Sequence, residues 1–368
     1  MTLQAALHQA VNSLEAGRYA EVEVQTSLLV GQHPDLGLAW KLLGISLQAQ
    51  AKEALPVLRM AAKLLPDDAA AHSNLGSALR EFGQLNDAVA SCQRALNLHP
   101  DYAQALNNLG AALFDLGQYD AAVACCQHAL ALEPSYAEAH NNLGNALTKL
   151  GQFDSAELPY LVALIIRPDY TEAYNNLGNA LKCLGRFDSA TANYGKALAI
   201  NSDYAEAYNN LGNVQQVLGQ LDNALASCRR ALELKPDFAE ANNNLGYAFE
   251  ILGQLDHALA SYHRALRIKP DFAAVRNGLL FMHNYLSDQP AAAMLAEAKS
   301  FGELVARQAH PYTTWANDRK VDRCLRVGIV SADLWNHPVG YFAENVLAAL
   351  AAHAAGRLEV VAYVSHTR

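Results

Sequence analysis

The sequence of 368 residues has few of the features that mark membrane, secreted or nucleic-acid-binding chains. It contains no run of about 18 apolar residues, so we predict no membrane-spanning helix and no membrane partner. The N-terminus lacks the basic start and apolar run of a signal peptide. A net charge of −9 disfavours non-specific binding to nucleic acid or to an anionic membrane. The sequence therefore predicts a cytoplasmic protein.

Cysteine is also sparse, with six residues, and no pair has the C-x-x-C spacing. Cysteine and histidine do not cluster at zinc-ligand spacing, so we predict no metal site, and disulfides are not expected in this compartment. Three cysteines share one position of a repeat with three tyrosines: Cys92, Cys126 and Cys228 against Tyr160, Tyr194 and Tyr262. A position shared by these two residue types is predicted to be a packing position.

What the sequence does have is an asparagine that recurs at a constant interval, each time followed by Leu-Gly. These six residues, here called the ladder asparagines, are Asn74, Asn108, Asn142, Asn176, Asn210 and Asn244. A strict period of this length, about 34 residues, indicates one supersecondary unit stacked many times. In such a stack the amides form a row, which favours binding of something extended, most simply a polypeptide.

Each unit has the pattern of two helices separated by a turn. A glycine that can end the first helix stands at Gly83, Gly117, Gly151, Gly185, Gly219 and Gly253. Proline follows the second helix in most units, where it presets the next turn. The pattern resembles the tetratricopeptide repeat, which implies a mostly α fold, a right-handed superhelix or α-solenoid. We predict about eight repeats plus a terminal helix over residues 1–287.

The ladder asparagines fall next to the apolar stripe of the first helix. In one unit, Ala173 and Leu177 belong to the core stripe, and Glu172, Asn176 and Asn179 form a polar stripe one residue earlier. Solenoid curvature can place such a stripe on a concave surface. We therefore predict that the same polar positions bind peptide in other units: Asn145, Asn179 and Asn213 after the ladder, and Glu138, Glu172, Glu206 and Glu240 before it.

Two interpretations of the ladder remain open. A side-chain amide offers both a donor and an acceptor, which suits a peptide backbone of any sequence. The alternative is that the asparagines bridge neighbouring repeats, because asparagine is otherwise a poor residue in the middle of a helix. The preceding asparagines are predicted to lie further from the core stripe, as ligand contacts or as solvated residues: Asn107, Asn141, Asn175, Asn209 and Asn243.

The repeat pattern ends near Asp288. We predict a helix and linker over residues 288–323, followed by a strand at Leu325–Val330, a helix at Val339–His353 and a strand at Leu358–Val364. Strand, helix and strand in this order predict a parallel crossover, the short βαβ opening of a Rossmann-like α/β domain, over residues 324–368. The segment contains no G-x-G-x-x-G, so a dinucleotide fingerprint is not predicted.

The tail contains Leu-Arg-Val-Gly-Ile-Val-Ser at 325–331, then Asp333 and Asn336-His337-Pro338. Together with the repeats, these residues resemble the family 41 glycosyltransferases, the protein O-linked N-acetylglucosamine transferases and their SPINDLY-like relatives. In that family the asparagine row holds acceptor polypeptide, and the histidine of the Asn-His-Pro loop lies at the active site. The resemblance makes His337 the catalytic candidate. The alternative is that His337 only orders the loop before Pro338.

The resemblance implies the substrate-recognition part of a protein O-glycosyltransferase, which transfers N-acetylglucosamine from its UDP conjugate to Ser/Thr hydroxyls. Only about 45 residues of the catalytic region are present, without its nucleotide-binding half, so we predict a fragment or truncated product that binds no cofactor and is inactive alone. A GDP-fucose-dependent relative stays open. Partners are polypeptides in the concave groove, and a homodimer through the repeats is an option. The alternative function is a non-catalytic scaffold for protein–protein interaction.

Overall fold

The chain divides into two compact units, Met1–Val305 and Ala306–Arg368. The computed structural model describes residues 2–283, 291–308, 325–330 and 358–363. Among these, no helix has the length and apolarity needed to cross a bilayer.

The helices alternate regularly along the chain, in pairs of similar length. They are α1 (Leu3–Glu15), α2 (Tyr19–Gln32), α3 (Gly37–Ala49), α4 (Leu55–Leu64), α5 (Ala69–Glu81), α6 (Leu85–Leu98), α7 (Ala103–Asp115), α8 (Tyr119–Leu132), α9 (Ala137–Lys149), α10 (Phe153–Ile166), α11 (Thr171–Cys183), α12 (Phe187–Ile200), α13 (Ala205–Val217), α14 (Leu221–Leu234), α15 (Ala239–Ile251), α16 (Leu255–Ile268), α17 (Ala273–His283) and α18 (Ala291–Gln308).

The helices stack in sequence order. From α1 to α17, each helix contacts the next one along the chain. The first helix of one repeat also contacts the first helix of the following repeat, as α7 contacts α9 and α13 contacts α15. Contacts that run only between neighbours define an α-solenoid. The predicted helical solenoid is therefore confirmed, with α1–α16 as eight helix pairs and α17 as a further helix.

The turn inside each repeat depends on a left-handed residue. The six predicted helix-stop glycines all have positive φ, between 72° and 77°. At Gly185, for example, the amide donates to the Lys182 carbonyl at 3.0 Å and the Arg186 amide donates to the Leu181 carbonyl at 2.9 Å. These bonds close the end of α11 in the manner of a Schellman motif. The unit of α3 and α4 is two residues shorter than the units that follow it, and there Ala51 takes the left-handed conformation with φ of 53°.

The core of each repeat is built on a glycine that faces a larger residue of the second helix. Tyr194 is fully buried, and a Cβ added to Gly178 would lie 2.6 Å from its ring. The same close approach joins Gly76 to the Cys92 sulfur. The shared cysteine and tyrosine position is thus confirmed as a packing position, and burial raises the pKa of the Cys92 thiol to about 12.

The first compact unit extends past residue 287, where the repeat pattern ends. Arg276 of α17 forms an ion pair with Glu297 of α18 at 2.8 Å, which joins these two helices.

The second unit includes two parallel strands, β1 (Leu325–Val330) and β2 (Leu358–Tyr363), with Leu325 paired to Leu358. The predicted helix between them, and the loop that carries His337, lie outside the described residues. The βαβ opening therefore stays a prediction.

We predict that Gly178→Ala destabilises the array by about 1–3 kcal/mol, because the added methyl group overpacks a fully buried ring. The matched control is Gly195→Ala in α12, where a Cβ meets nothing within 4 Å. That change replaces a flexible helical residue and should leave stability unchanged or raise it by up to about 1 kcal/mol. Thermal unfolding followed by circular dichroism measures both. Equal midpoints for the two variants would contradict the packing argument.

Candidate functional site

The ladder asparagines lie in the middle of the first helix of six consecutive repeats, on α5, α7, α9, α11, α13 and α15. Asn74 is 9% exposed, and the other five are partly buried. They are therefore neither fully solvated nor part of the apolar core. We call the surface that they share with the polar residues beside them the ladder face.

Each of the last four ladder asparagines donates a hydrogen bond to an asparagine of the preceding repeat. The Asn142 amide nitrogen donates to Asn107 Oδ1 at 2.9 Å, and the Asn176 nitrogen donates to Asn141 Oδ1 at 3.1 Å. The two bonds that follow have the same form, both at 2.9 Å, from Asn210 to Asn175 and from Asn244 to Asn209. The ladder thus bridges repeats, one of the two uses that the sequence left open.

Asn108, the ladder asparagine before these four, shows the same donor atom in a bond whose acceptor is a backbone carbonyl. The Asn108 Nδ2 lies 3.3 Å from the Ser73 backbone carbonyl and 3.1 Å from the Ser73 hydroxyl. A carbonyl oxygen only accepts, so the nitrogen of the ladder side chain must be the donor. Bridging therefore uses the amide nitrogen and does not occupy Oδ1. Oδ1 of Asn176 nevertheless accepts from the Asn175 amide nitrogen at 3.5 Å, and Oδ1 of Asn244 accepts from the Asn243 nitrogen at 3.4 Å. Within residues 2–283, the structure shows no hydrogen bond to Oδ1 of Asn142 or Asn210.

The asparagines that precede the ladder differ from the expectation of ligand contacts or solvated residues. Four of them are buried, with 5–8% exposure: Asn107, Asn141, Asn175 and Asn209. The first helix of the next repeat packs beside them and covers a position that would be open on an isolated helix. Asn243 is partly buried, and its amide approaches Asn244 Oδ1 at 3.4 Å. The role of the four buried residues is to accept the bridging bonds.

A row of tyrosines continues this network. The Asn107 amide nitrogen donates to the Tyr136 hydroxyl at 3.4 Å. Burial raises the pKa of Tyr136, Tyr170 and Tyr204 to about 12, and nearby carboxylates, such as Glu138 beside Tyr136, raise it further. The neutral hydroxyl is therefore the stable form in the fold.

The predicted site residues one turn after the ladder also have partners. The Tyr160 hydroxyl donates to Asn145 Oδ1 at 2.8 Å, and the Tyr194 hydroxyl donates to Asn179 Oδ1 at 2.8 Å. Asn213 Oδ1 lies 3.4 Å from the Lys182 ammonium nitrogen. In these three side chains the oxygen is engaged.

Three of the four predicted glutamates form ion pairs with a base of the same chain. Glu138 pairs with Arg167, Glu206 with Lys235 at 2.8 Å, and Glu240 with Lys269 at 3.2 Å. Burial is the largest influence on the pKa of Glu206 and acts to raise it. The hydrogen bond from Lys235, a backbone hydrogen bond and the charge of Lys235 together outweigh burial, so the pKa lies below its ordinary value.

Glu172 is the exception among the four. Its repeat has Asn201 at the position where the neighbouring repeats have Arg167 and Lys235. Glu172 accordingly forms no ion pair in the described part of the chain. Most of this acidic row is therefore neutralised by the protein itself.

The structure brings the predicted amides together in two cavities on the ladder face. One, of about 580 Å³, is lined by Asn145, Asn176 and Asn179. The other, of about 790 Å³, is lined by Asn213 and Asn244 together with apolar side chains from α15 to α17. No group of three or more metal-ligating side chains occurs among the described residues. His337 lies outside them, so its predicted role stays a prediction.

Sequence reasoning missed the tyrosines that hold these amides. Asn145 and Asn179 each precede a buried tyrosine of the next helix, whereas Ser77 and Ala111 at the same repeat position precede a cysteine. This covariation within the chain was the available signal. It is incomplete, because Asn213 also precedes a cysteine.

Sequence reasoning also missed two bases of the ladder face. Lys149 and Lys182 line the smaller cavity. They follow Asn145 and Asn179 by about one helical turn, which places each lysine on the same side of its helix as the amide. That spacing could have indicated them.

Stacked helix pairs with a shared polar face define a helical-repeat protein of the α-solenoid class. Models of the tetratricopeptide repeat match residues 76–117, 112–151 and 179–219, residues 205–238 and 239–272, and residues 137–167. The chain therefore contains multiple tetratricopeptide repeats and belongs to the tetratricopeptide-repeat proteins. All the matched residues lie within 76–272.

Several solved structures are similar to this chain. The APC/C hetero-tetramer Cut9-Hcn1 has a TM-score of 0.60 and 19% identity, over 67% of this chain and 49% of that chain. The match thus spans about half of that chain, and at this identity it shows the fold alone. YrrB, described as a TPR protein with an unusual peptide-binding site, is 24% identical over 50% of this chain and 95% of that chain, with a TM-score of 0.40. TTC0263 from Thermus thermophilus is 25% identical over 50% of this chain and 99% of that chain, with a TM-score of 0.44. No curated protein matches the chain.

We predict that the array loses stability when the pH rises above about 10. Free tyrosine has a pKa of about 10, and the folded values of Tyr136, Tyr170 and Tyr204 are about 12. A raised folded pKa means that the native state holds the proton more tightly than the unfolded state. The stability that these protonated tyrosines contribute is therefore complete below pH of about 10 and is lost as the pH approaches 12.

Urea unfolding between pH 9 and about 12, together with tyrosinate absorbance, measures this effect. The double variant Tyr170→Phe/Tyr204→Phe should show a smaller fall of the unfolding midpoint across the same range. Ionisation of all tyrosines in a single step near pH of about 10 would contradict the prediction.

Proposed function

We propose that this chain binds extended polypeptide along the ladder face, through the Oδ1 atoms of the ladder asparagines. The observation that carries the proposal is the common direction of the bridging bonds, which use the amide nitrogen and leave the carbonyl oxygens of Asn142 and Asn210 without a partner among residues 2–283. A carbonyl oxygen pairs with the backbone N–H of a polypeptide whatever its sequence. The tetratricopeptide architecture supports a protein-binding role.

The spacing of the repeats suits an extended chain. Packed helices lie about 8–10 Å apart, and an extended polypeptide rises about 3.3 Å per residue. One ladder oxygen would therefore meet about every third residue of the ligand. Such a contact would depend on the backbone and would tolerate many side chains.

We predict that a matched pair of triple variants separates ligand binding from bridging. Replacing Asn142, Asn176 and Asn210 by Ala removes both the bridging donor and the ladder oxygen. Replacing their acceptors Asn107, Asn141 and Asn175 by Ala removes the same bonds but keeps the ladder oxygens. Each lost bond costs about 1 kcal/mol, so both triples should be destabilised, and the acceptor triple by slightly more because it also loses the bond from Asn107 to the Tyr136 hydroxyl.

Fluorescence anisotropy with unstructured synthetic peptides of Gly, Ala and Ser then reports binding. The ladder triple should lose affinity at least about tenfold more than the acceptor triple, because only it lacks the contact atoms. N-methylation of every third residue of the peptide should weaken binding to the wild type, because it removes the backbone donor. Equal affinity losses in the two triples would show that the asparagines only join the repeats.

The finer form of the proposal is that the bound polypeptide is an acceptor presented to a nucleotide-sugar-dependent transferase site. It is supported by the sequence resemblance of residues 325–331 and of Asn336-His337-Pro338. In this form His337 lies on the acceptor side of the active site, and UDP-N-acetylglucosamine is the donor for the full-length enzyme. A tetratricopeptide scaffold without catalysis agrees equally well with the described repeats.

We expect titration calorimetry of this chain with UDP to give no binding heat, because the residues that the resemblance assigns to nucleotide binding are not in the sequence. Sequencing the coding DNA beyond codon 368 distinguishes the transferase from the scaffold. An open frame that continues into further strand–helix units supports the transferase, and a stop codon supports the scaffold. Transfer of N-acetylglucosamine by these 368 residues alone would overturn the expected inactivity.

A further inference from the structure

One cavity of the ladder face has an unusual set of polar side chains. It has a volume of about 580 Å³ and lies between α7, α9, α10 and α11. Lys149 and Lys182 line it together with Asn145, Asn179 and Thr148, and no carboxylate is among its lining residues. A cavity lined by two lysines and by no acid has an excess of positive charge at its walls, although the chain as a whole carries −9.

The amides of this cavity are oriented by buried tyrosines. The hydroxyls of Tyr160 and Tyr194 donate to Oδ1 of Asn145 and Asn179, both at 2.8 Å. With the oxygens used, each amide has its NH₂ group left to offer, which is a donor only. The tyrosine rings are 1% and 0% exposed, so the repeat core fixes their hydroxyls in place.

The lysines have little compensation from the protein. Lys182 is partly buried, and its ammonium group has one neutral contact, to Asn213 Oδ1 at 3.4 Å. Lys149 is exposed, and it forms no ion pair within the described residues. By contrast, Arg80, which holds the repeat position of Lys182, pairs with Asp115 at 3.1 Å. The chain thus neutralises this position in one repeat and leaves it charged in another.

We propose that this cavity binds an anionic group of the polypeptide on the ladder face, either the carboxylate of an acidic side chain or a phosphoryl group. Two lysines and two oriented NH₂ groups give this cavity more donors than acceptors, although Asn176 and Thr148 also line it, and a donor-rich set of this kind matches an oxyanion. The inference rests on the proposed polypeptide binding. The anion site would make binding depend on the sequence of the peptide, whereas the ladder oxygens contact only its backbone.

The larger cavity supports this assignment by contrast. It contains Glu250 and the apolar side chains of Tyr247, Ile251 and Phe281, and no lysine or arginine lines it. Glu250 accepts the Tyr262 hydroxyl at 2.6 Å, so here the equivalent tyrosine holds an acid in place of an amide. An anionic residue of the ligand is favoured at α9 to α11 and disfavoured at α15 to α17.

A set of fluorescein-labelled peptides tests the proposal. The peptides are alike, made of Gly, Ala and Ser, except for a central Gln, Glu or phosphoserine. We expect the Glu and phosphoserine peptides to bind the wild type about tenfold more tightly than the Gln peptide, as two partly exposed charge contacts would give. The comparison between Glu and phosphoserine shows which anion the cavity prefers.

Lys149→Gln/Lys182→Gln should abolish this preference, and Lys63→Gln, an equal charge change on α4, should keep it. Tyr160→Phe/Tyr194→Phe should reduce the preference while both lysines remain, because the amides lose their fixed orientation. Equal binding of the Gln, Glu and phosphoserine peptides to the wild type would overturn the proposal. A preference that survives in the double lysine variant would do the same.

A second measurement does not depend on polypeptide binding. Lysines carrying ¹³C-dimethyl groups are followed by NMR during titration with inorganic phosphate and with acetate. We expect saturable shifts of the Lys149 and Lys182 signals and none of the Lys63 signal, and non-selective shifts would show that there is no anion site. If no peptide binds and these shifts are nevertheless selective, the polypeptide proposal fails and the anion site stands.

Discussion

The hydrogen bond between asparagine side chains of consecutive repeats is the interaction on which the ladder face depends. It joins residues 35 positions apart and recurs at 2.9–3.1 Å from Asn107–Asn142 to Asn209–Asn244. Within a repeat, the glycine-to-ring contact sets how closely the two helices approach. Between repeats, this bond fixes how the first helix of one repeat is aligned with the first helix of the next repeat. Because its donor is always the amide nitrogen, the same bond also determines which atom the ladder can offer to a ligand.

Periodicity was enough to predict the repeats, because each repeat follows the same local rules. The helix-stop glycines at positive φ, the packing of Tyr194 against Gly178 and the solenoid itself all follow from patterns within a single repeat. The burial of Asn175 does not, since a wheel of α11 alone leaves that position open. It is covered only when the next repeat is in place. The ion pair of Glu206 with Lys235 lies within one repeat but was also missed, because Lys235 follows the end of the second helix, α14, and a wheel of α13 alone does not show it.

The candidate site in the structure differs from the predicted one, because other residues of the array engage part of each side chain. The sequence suggested side chains that were free to offer both a donor and an acceptor. In the structure, the stack itself uses part of each side chain: the nitrogen of Asn142, the oxygen of Asn179 and the charge of Glu206. What remains is more specific than the original set. It is a row of acceptors at the ladder positions, beside a row of donors where tyrosines hold the amide oxygens.

Charge adds a direction to this surface. The repeat that carries α11 contains both Glu172, which lacks the base found in its sister repeats, and Lys182, which lacks the acid found beside Arg80. The two residues are ten positions apart on one helix, or about 15 Å along its axis at 1.5 Å per residue. The net charge of the pair is zero, but its two ends are separated by more than a screening length of about 8 Å in physiological salt. A ligand therefore meets them as two separate charges, one at each edge of the ladder face. On a polypeptide that follows the ladder, basic side chains are accordingly favoured toward the Glu172 edge and acidic side chains toward the Lys182 edge.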